Sequence, residues 1–344
     1  MVRESVLAAV AEFLDTRCAQ SLPASRVDIA QDVLRALLAE GKCLRSTFLY
    51  LGWLSGAEAD VSAIRAAASL EFLHAFALVQ DDVMDGSPMR RGRPSAHRAF
   101  EGWHHRHGMA GSSARFGESA AILLGDLCLV WAEQMLRESG LAQEALTRAW
   151  PRYDAMRTEL AVGQFADLVN DSSAFPTLDD VLDVARRKSG NYTVRRPLEI
   201  GAALSGCDER TLDALGDYGV AVGEAFQLRD DLLGVFGRPE TTGKPAGSDL
   251  AARKATTVVV AAHQLSSRSQ RRDLERLMTT ADLSGDDITA WQRLIAEIGT
   301  MEWMEQLIDR RLAWALHRLD TVSLDDGVRS ALITMASACT ERVA

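Results

Sequence analysis

Two runs of aspartate stand in apolar, helix-forming surroundings: Asp81-Asp82-Val83-Met84-Asp85, and Asp230-Asp231 far downstream. Carboxylate oxygens are hard donors. Mg²⁺ takes one or two of them and completes its shell with water and phosphate oxygens. The stretch from Ala66 to Asp85 is rich in Ala, Leu and Phe and holds no Pro or Gly, which predicts a helix. Asp81 and Asp85 then stand one turn apart, ~6 Å, on one face. Two like charges at that separation repel by roughly 3 kcal/mol at an effective dielectric of ~20, a cost that a counter-ion relieves. The bland alternative is a solvated acidic helix end. Two such clusters on separate helices suggest a cavity with carboxylates on opposing walls, suited to divalent metals and a phosphorylated substrate.

Spacing alone does not decide this, because Asp179-Asp180-Val181-Leu182-Asp183 repeats it. That copy follows Phe175-Pro176-Thr177, so Thr177 is expected to cap a helix with Asp180 at the capping-box position. It reads as a helix start rather than a metal site. The first cluster differs in its company. His74 precedes it, and Arg90-Arg91-Gly92-Arg93-Pro94 follows. Elsewhere come Gly41-Lys42-Cys43-Leu44-Arg45, Gly163-Gln164-Phe165-Ala166-Asp167, Lys188-Ser189, Phe226-Gln227 before Asp230, Thr242-Gly243-Lys244-Pro245, and Asp249-Leu250 with Lys254. Cations and carboxylates in such number, in an otherwise apolar helical chain, suit the gripping of two diphosphates, one bridged by metal and one held by Arg, Lys and His. His104-His105-Arg106-His107 is a further possible metal module, but adjacent histidines in a glycine-flanked loop read as solvated.

The elements that must position these groups are helical. Periodicity near 3.6 residues runs through the chain, and strand alternation is almost absent. Helices are expected at roughly 3–20, 27–39, 43–56, 60–85, 115–138, 142–170, 178–203, 208–236, 254–266, 268–279, 287–298, 300–319 and 326–342. No linker or repeat divides the 344 residues, so the expectation is a single all-α domain over 1–344, about 12–13 helices around a central cavity. Residues 1–24 form an N-terminal helix in this reading. The composition, 47% hydrophobic and 25% charged, is that of an ordinary globular chain. A net charge of −10 argues against a nucleic-acid partner. Five scattered cysteines with no C-x-x-C indicate neither a disulfide framework nor zinc. No signal-peptide order and no uninterrupted apolar run of ~18 residues are seen, so the expected location is cytoplasmic, without stable membrane insertion.

From about residue 25 onward the chain resembles the trans-isoprenyl diphosphate synthases (polyprenyl synthetases), in flavour the actinobacterial geranylgeranyl type. Phe76-Ala77-Leu78-Val79-Gln80-Asp81-Asp82 through Pro94 is similar to the family's first aspartate-rich motif, and Phe226-Gln227 through Gly237 to its second. The resemblance implies an isoprenoid-synthase helical bundle and Mg²⁺-dependent ionisation of an allylic diphosphate. The cation is attacked by isopentenyl diphosphate, head to tail, and a proton is lost to the departing diphosphate. It implies three Mg²⁺ ions, with Asp81, Asp85 and Asp230 as principal ligands and Asp82, Asp167 and Asp231 beside them. It places Arg90, Lys188, Ser189, Lys244 and Lys254 on the allylic diphosphate, and Lys42, Arg45, His74 and Arg91 on isopentenyl diphosphate. Gln164 and Gln227 order the site, and a homodimer is expected.

Some positions depart from the family pattern. Cys43 and Ser46 replace an Arg and a Pro, Ser189 replaces a Thr, Gly234 stands where many members carry a third Asp, and Arg238 where an Asp often follows. Phe76, five residues before Asp81, lies ~7.5 Å down the helix axis and is the expected floor under the growing chain. With a plain D-D-x-x-D this goes with a C20 product in the family, C15 being the alternative. A class I terpene cyclase would need an N-D-x-x-S-x-x-x-E motif, and Asn170-Asp171 does not continue that way. A non-catalytic regulatory or cargo homologue is opposed by the retention of both acidic clusters, since unused buried carboxylates are costly.

Overall fold

Long helix-forming segments leave the backbone one economical choice, and the described residues of the computed structural model are all-α apart from a two-residue-per-strand hairpin. It describes residues 2–22, 28–39, 41–171, 175–238 and 246–341. The chain divides into two compact units, Met1–Thr147 and Arg148–Ala344, each described by itself.

The first unit is built on α4 (Val61–Met84). Asp60 caps it by accepting from the Ser62 and Ala63 amides, and Asp85 ends it. Its small and aromatic residues are buried nearly all round, from Ala63 and Ala66 to Leu73 and Val79, as a central helix requires. Around it pack α1 (Val2–Ser21), α2 (Asp28–Ala39), α3 (Leu44–Leu54), α5 (Ala96–Arg106) and, most extensively, α6 (Ser113–Arg137). The N-terminal helix docks through Val6, Val10, Leu14 and Cys18, a single stripe at four-residue spacing. Between α4 and α5 runs the hairpin β1 (Met89–Arg90) and β2 (Arg93–Pro94). By length and composition α4 and α6 could each cross a membrane, although neither is an uninterrupted apolar run. They pack on one another, as core helices do.

In the second unit the central element is α10 (Glu209–Phe236), capped by Asp208, which accepts from the Thr211 amide. It is flanked by α9 (Arg196–Ser205), α15 (Thr300–Leu319) and α16 (Asp326–Thr340). The core continues from Leu228, Leu232 and Val235 to Val258 of α12 (Thr257–Leu265), Leu274 of α13 (Arg268–Thr279) and Trp291 of α14 (Gly285–Glu297). The long α7 (Gln143–Asp171) carries the unit boundary within it.

The structure corrects the expected elements in three places. The 86–113 region, read as loop because of its Gly and Pro, contains α5, stabilised by burial of Ala96, His97, Phe100 and His104. Tertiary packing here overrides weak local propensity. The helix expected over 178–203 is three pieces: α8 (Leu178–Val184), a π-helical stretch Ala185–Arg195, and α9. A short α11 (Ser248–Ala251) was also not foreseen.

Candidate active site

Each unit carries a polar site of its own. In the first unit, the end of α4 presents Asp81, partly buried, and Asp85, exposed at the helix terminus. Between them Asp82 turns inward and is buried. Arg90 on β1 grips it through Nε, 3.0 and 3.2 Å from the two carboxylate oxygens, and through Nη2. The same Nη2 lies 3.6 Å from Asp81. Burial raises the Asp82 carboxyl above its ordinary range, against the pull of Arg90. Burial also works against the Arg90 charge, but Asp82, with Asp81 and Asp85 behind it, holds the guanidinium above its usual value. Asp82, expected from the sequence among the metal donors, has its carboxylate engaged by Arg90 in this structure. Asp81 and Asp85 remain the pair that faces outward.

Two turns earlier on α4 stands His74, with the cations of α3 and the hairpin acting on it. Lys42 is exposed, immediately before Cys43, whose φ of 49° turns the chain into α3, and Arg45 sits in the first turn of that helix. Arg91, at φ 51° in the hairpin turn, donates from Nη1 to the Leu37 carbonyl at 3.2 Å. The His74 imidazole is pushed well below its ordinary range, first by burial and then by Arg45, Arg91 and Arg90. Three guanidiniums bearing on one neutral imidazole make a positive field that an anion would relieve. Phe76 is partly buried. One turn below it Phe72 is sealed between Phe13 and Trp131, edge to face at centroid distances of 5.4 and 6.2 Å.

The second unit holds a half-open cavity of about 160 Å³, whose lining includes Asp167, Lys188, Ser189, Gln227, Asp231 and Lys254. Lys188 donates from Nζ to Asp167 at 2.5 Å. The π-helical stretch brings the Lys188 backbone against α7, where a methyl group added at Gly163 would fall 2.7 Å from the Lys188 nitrogen. It also brings Gly190 against Gly223 of α10 with the backbones in direct contact. π-turns inside helices recur at functional sites for this reason: they redirect side chains. Asp231, like Asp82, is buried and engaged. Gln227 Nε2 donates to one oxygen at 2.7 Å and the Thr257 amide to the other at 3.0 Å. Burial, with Asp249 nearby, pushes its carboxyl up to about 7. Asp230 beside it is partly buried and is not part of the cavity lining. Gln164, one turn before Asp167, has a buried Nε2 with no hydrogen-bond partner among the described residues. Lys244 lies outside the described residues.

The sequence reading left Asn170 and Asp249 unassigned, though both line the cavity. Asp249 also explains Gly234: a Cβ there would fall 1.9 Å from the Asp249 carboxylate. The repeat at Asp179–Asp183 is a helix start, as expected. Thr177 and Asp180 form a capping box, and Asp183 pairs with Arg187 at 2.7 Å. The histidine run closes α5, with His104 buried and its Nε2 3.2 Å from the Ala110 carbonyl.

No three His, Cys, Asp or Glu side chains among the described residues converge into a ready-made metal cage. The donor set still fits Mg²⁺, which dehydrates reluctantly and is held by one or two carboxylates together with substrate oxygens. Asp81 and Asp85 provide such a pair.

The polyprenyl synthetase family model matches residues 27–295. A geranylgeranyl diphosphate synthase of Mycobacterium tuberculosis is 34% identical over 296 residues, 85% of this chain and 77% of that enzyme. A geranylfarnesyl diphosphate synthase of Aeropyrum pernix is 32% identical over 277 residues, 79% of this chain and 80% of that enzyme. Among solved structures, a geranylgeranyl pyrophosphate synthase from Corynebacterium glutamicum, complexed with isoprenyl diphosphate and magnesium, matches with a TM-score of 0.94 at 38% identity, covering 99% of each chain.

Proposed function

Because this chain belongs to the polyprenyl synthetase family, and is thereby a short-chain prenyltransferase, we propose that it makes geranylgeranyl diphosphate from isopentenyl diphosphate and an allylic diphosphate. The observation that carries this reading is the outward pair Asp81 and Asp85, set beside Arg90 and above the field of Arg45, Arg91 and His74. Both polar sites serve one reaction in this reading, and the two units act as one catalytic domain.

Arg90, Lys188 and Lys254, with Lys244, neutralise the allylic diphosphate, and Ser189 adds a hydroxyl. Lys42, Arg45 and Arg91 hold isopentenyl diphosphate. A neutral His74 adds an N–H donor there without adding charge. The unpartnered Gln164 amide is a donor that a phosphate oxygen would satisfy. Asp81, Asp85 and Asp230, with Asp167, would hold Mg²⁺, three ions in this reading, which when bound supplies positive charge to the leaving diphosphate. The allylic C–O bond breaks and its electron pair leaves with the diphosphate. The isopentenyl double bond then forms the new C–C bond, and a proton departs to the diphosphate. Apolar helix walls exclude water from the cation.

The C20 product is supported by Phe76 above the sealed Phe72 layer and by the geranylgeranyl synthases among the relatives. A C15 product is the alternative. A homodimer is supported by the exposed Leu123 and Val130 on α6. A cytoplasmic location, with neither nucleic acid nor membrane insertion, completes the reading and is consistent with the net charge of −10. The test is incubation with Mg²⁺, isopentenyl diphosphate and each of the C5, C10 and C15 allylic diphosphates, sizing products after dephosphorylation. A C20 alcohol is expected, and no elongation with any primer would overturn the reading. Asp81→Ala and Asp230→Ala should each abolish turnover while the thermal unfolding midpoint stays near wild type.

A further inference from the structure

Ser46 stands where the family pattern has proline, and its hydroxyl has found a partner. It donates to Oε1 of Glu71 at 2.6 Å, with both side chains buried. The other Glu71 oxygen faces Gly41, where an added Cβ would lie 3.3 Å from Oε2. One carboxylate thus bonds the far end of the turn that carries Lys42, Cys43 and Arg45, and its second oxygen leaves little room for a side chain at the near end. That turn is not relaxed, since Cys43 is a non-glycine residue at φ 49°. Further ties hold it: Arg3 Nε donates to the Gly41 carbonyl at 2.8 Å, and Thr47 Oγ1 to the Cys43 carbonyl at 2.7 Å. Glu71 also lies one turn from His74 on α4, and Arg45 and Arg91 act electrostatically on both residues. Burial raises the Glu71 carboxyl above its ordinary range, while the Ser46 hydroxyl, Arg45 and Arg91 pull it the other way, toward the charged form that offsets the cations' mutual repulsion.

We propose that Glu71 is a positioning residue which, with Ser46 as its partner, clamps the Gly41–Ser46 turn and so presents Lys42 and Arg45 to the diphosphate of the homoallylic substrate. The proposal rests on the prenyltransferase reading for the identity of that substrate. The clamp replaces the backbone restraint of a proline with a buried hydrogen bond.

The test compares wild type with Glu71→Gln, Ser46→Ala and Ser46→Thr. Loss of a buried, charge-assisted hydrogen bond should raise KM for isopentenyl diphosphate roughly tenfold in the first two. KM for the allylic diphosphate should move less than about twofold, and Ser46→Thr, which keeps the hydroxyl, should restore binding. Calorimetric titration with isopentenyl diphosphate alone should show the same ~10-fold loss without turnover. Equal increases in both KM values, or none, would overturn the clamp. Should Glu71→Gln fail to fold, Ser46→Ala leaves the carboxylate in place and decides the matter. A wild-type protein that elongates no primer, yet binds isopentenyl diphosphate ~10-fold better than Ser46→Ala does, would keep the clamp and remove the synthase reading.

Discussion

The Lys188 ammonium lies 2.5 Å from an Asp167 carboxylate oxygen, inside the cavity of the second unit. Each partner currently satisfies the other, yet the proposed function gives them different tasks. Lys188 would meet the allylic diphosphate and Asp167 the metal. Lys188→Gln should therefore lower kcat/KM for the allylic substrate by roughly 10–100-fold, the worth of one charged hydrogen bond. Asp167→Asn should instead raise the Mg²⁺ concentration needed for half-maximal rate. A Mg²⁺ titration of both variants separates the two effects, and identical behaviour would show that the pair acts only as a structural tie.

Phe76→Ala should lengthen the product. The Phe72 ring beneath it is locked by Phe13 and Trp131, so the new space is bounded rather than open. Product sizing should show a shift to longer chains in the single variant and a further shift when Trp131→Ala is added. An unchanged distribution in Phe76→Ala would remove that ring from the floor.

His74 should make the fold acid-sensitive. Its folded-state pKa lies well below the ~6.5 of a free imidazole, because of burial and the neighbouring guanidiniums. Below that pH the unfolded chain binds more protons than the folded one, so stability is present above the unfolded pKa and falls with pH beneath it. The slope is on the order of 1 kcal/mol per pH unit. Urea unfolding at several pH values should show a shallower dependence for His74→Gln than for wild type between about pH 7 and 5.

Leu123 and Val130 are 68% and 61% exposed and stand on one face of α6, seven residues apart. Isolated exposed apolar side chains are common, but two on one helix face would be covered by the homodimer proposed above. Sedimentation should give a dimer for the wild type and a monomer for Leu123→Glu with Val130→Glu. A wild-type monomer would remove the interface.

How much of this could be read from residues alone differs by level. The long helices α4 and α10 were legible because each runs on in apolar, helix-forming residues with no proline to stop it. α5 was not, since its Gly102 and histidines are poor helix formers and only burial of Phe100 and His104 holds it. The broken helix at Lys188 was hidden because a π-turn leaves no compositional mark. Among the site residues, the types and positions of Asp81, Arg90 and Lys188 were readable. The partners of Asp82 and Asp231 were not, because a sequence does not show which carboxylate turns inward to an arginine, a glutamine or an amide. Glu71 offered only one faint signal, a lone acid in an apolar helical run.

The backbone contacts at Gly163 and at Gly190 with Gly223 limit how this protein can be made more heat-resistant. Replacing helical glycine by alanine is a standard thermostabilising change, worth ~1 kcal/mol per site where the position is open. Here the added methyl would meet main-chain atoms 2.5–2.9 Å away, which cannot rotate aside as a flexible side chain can. An engineering campaign should leave these three positions alone, because the conformational freedom they cost the helices is what lets Lys188 reach its cavity.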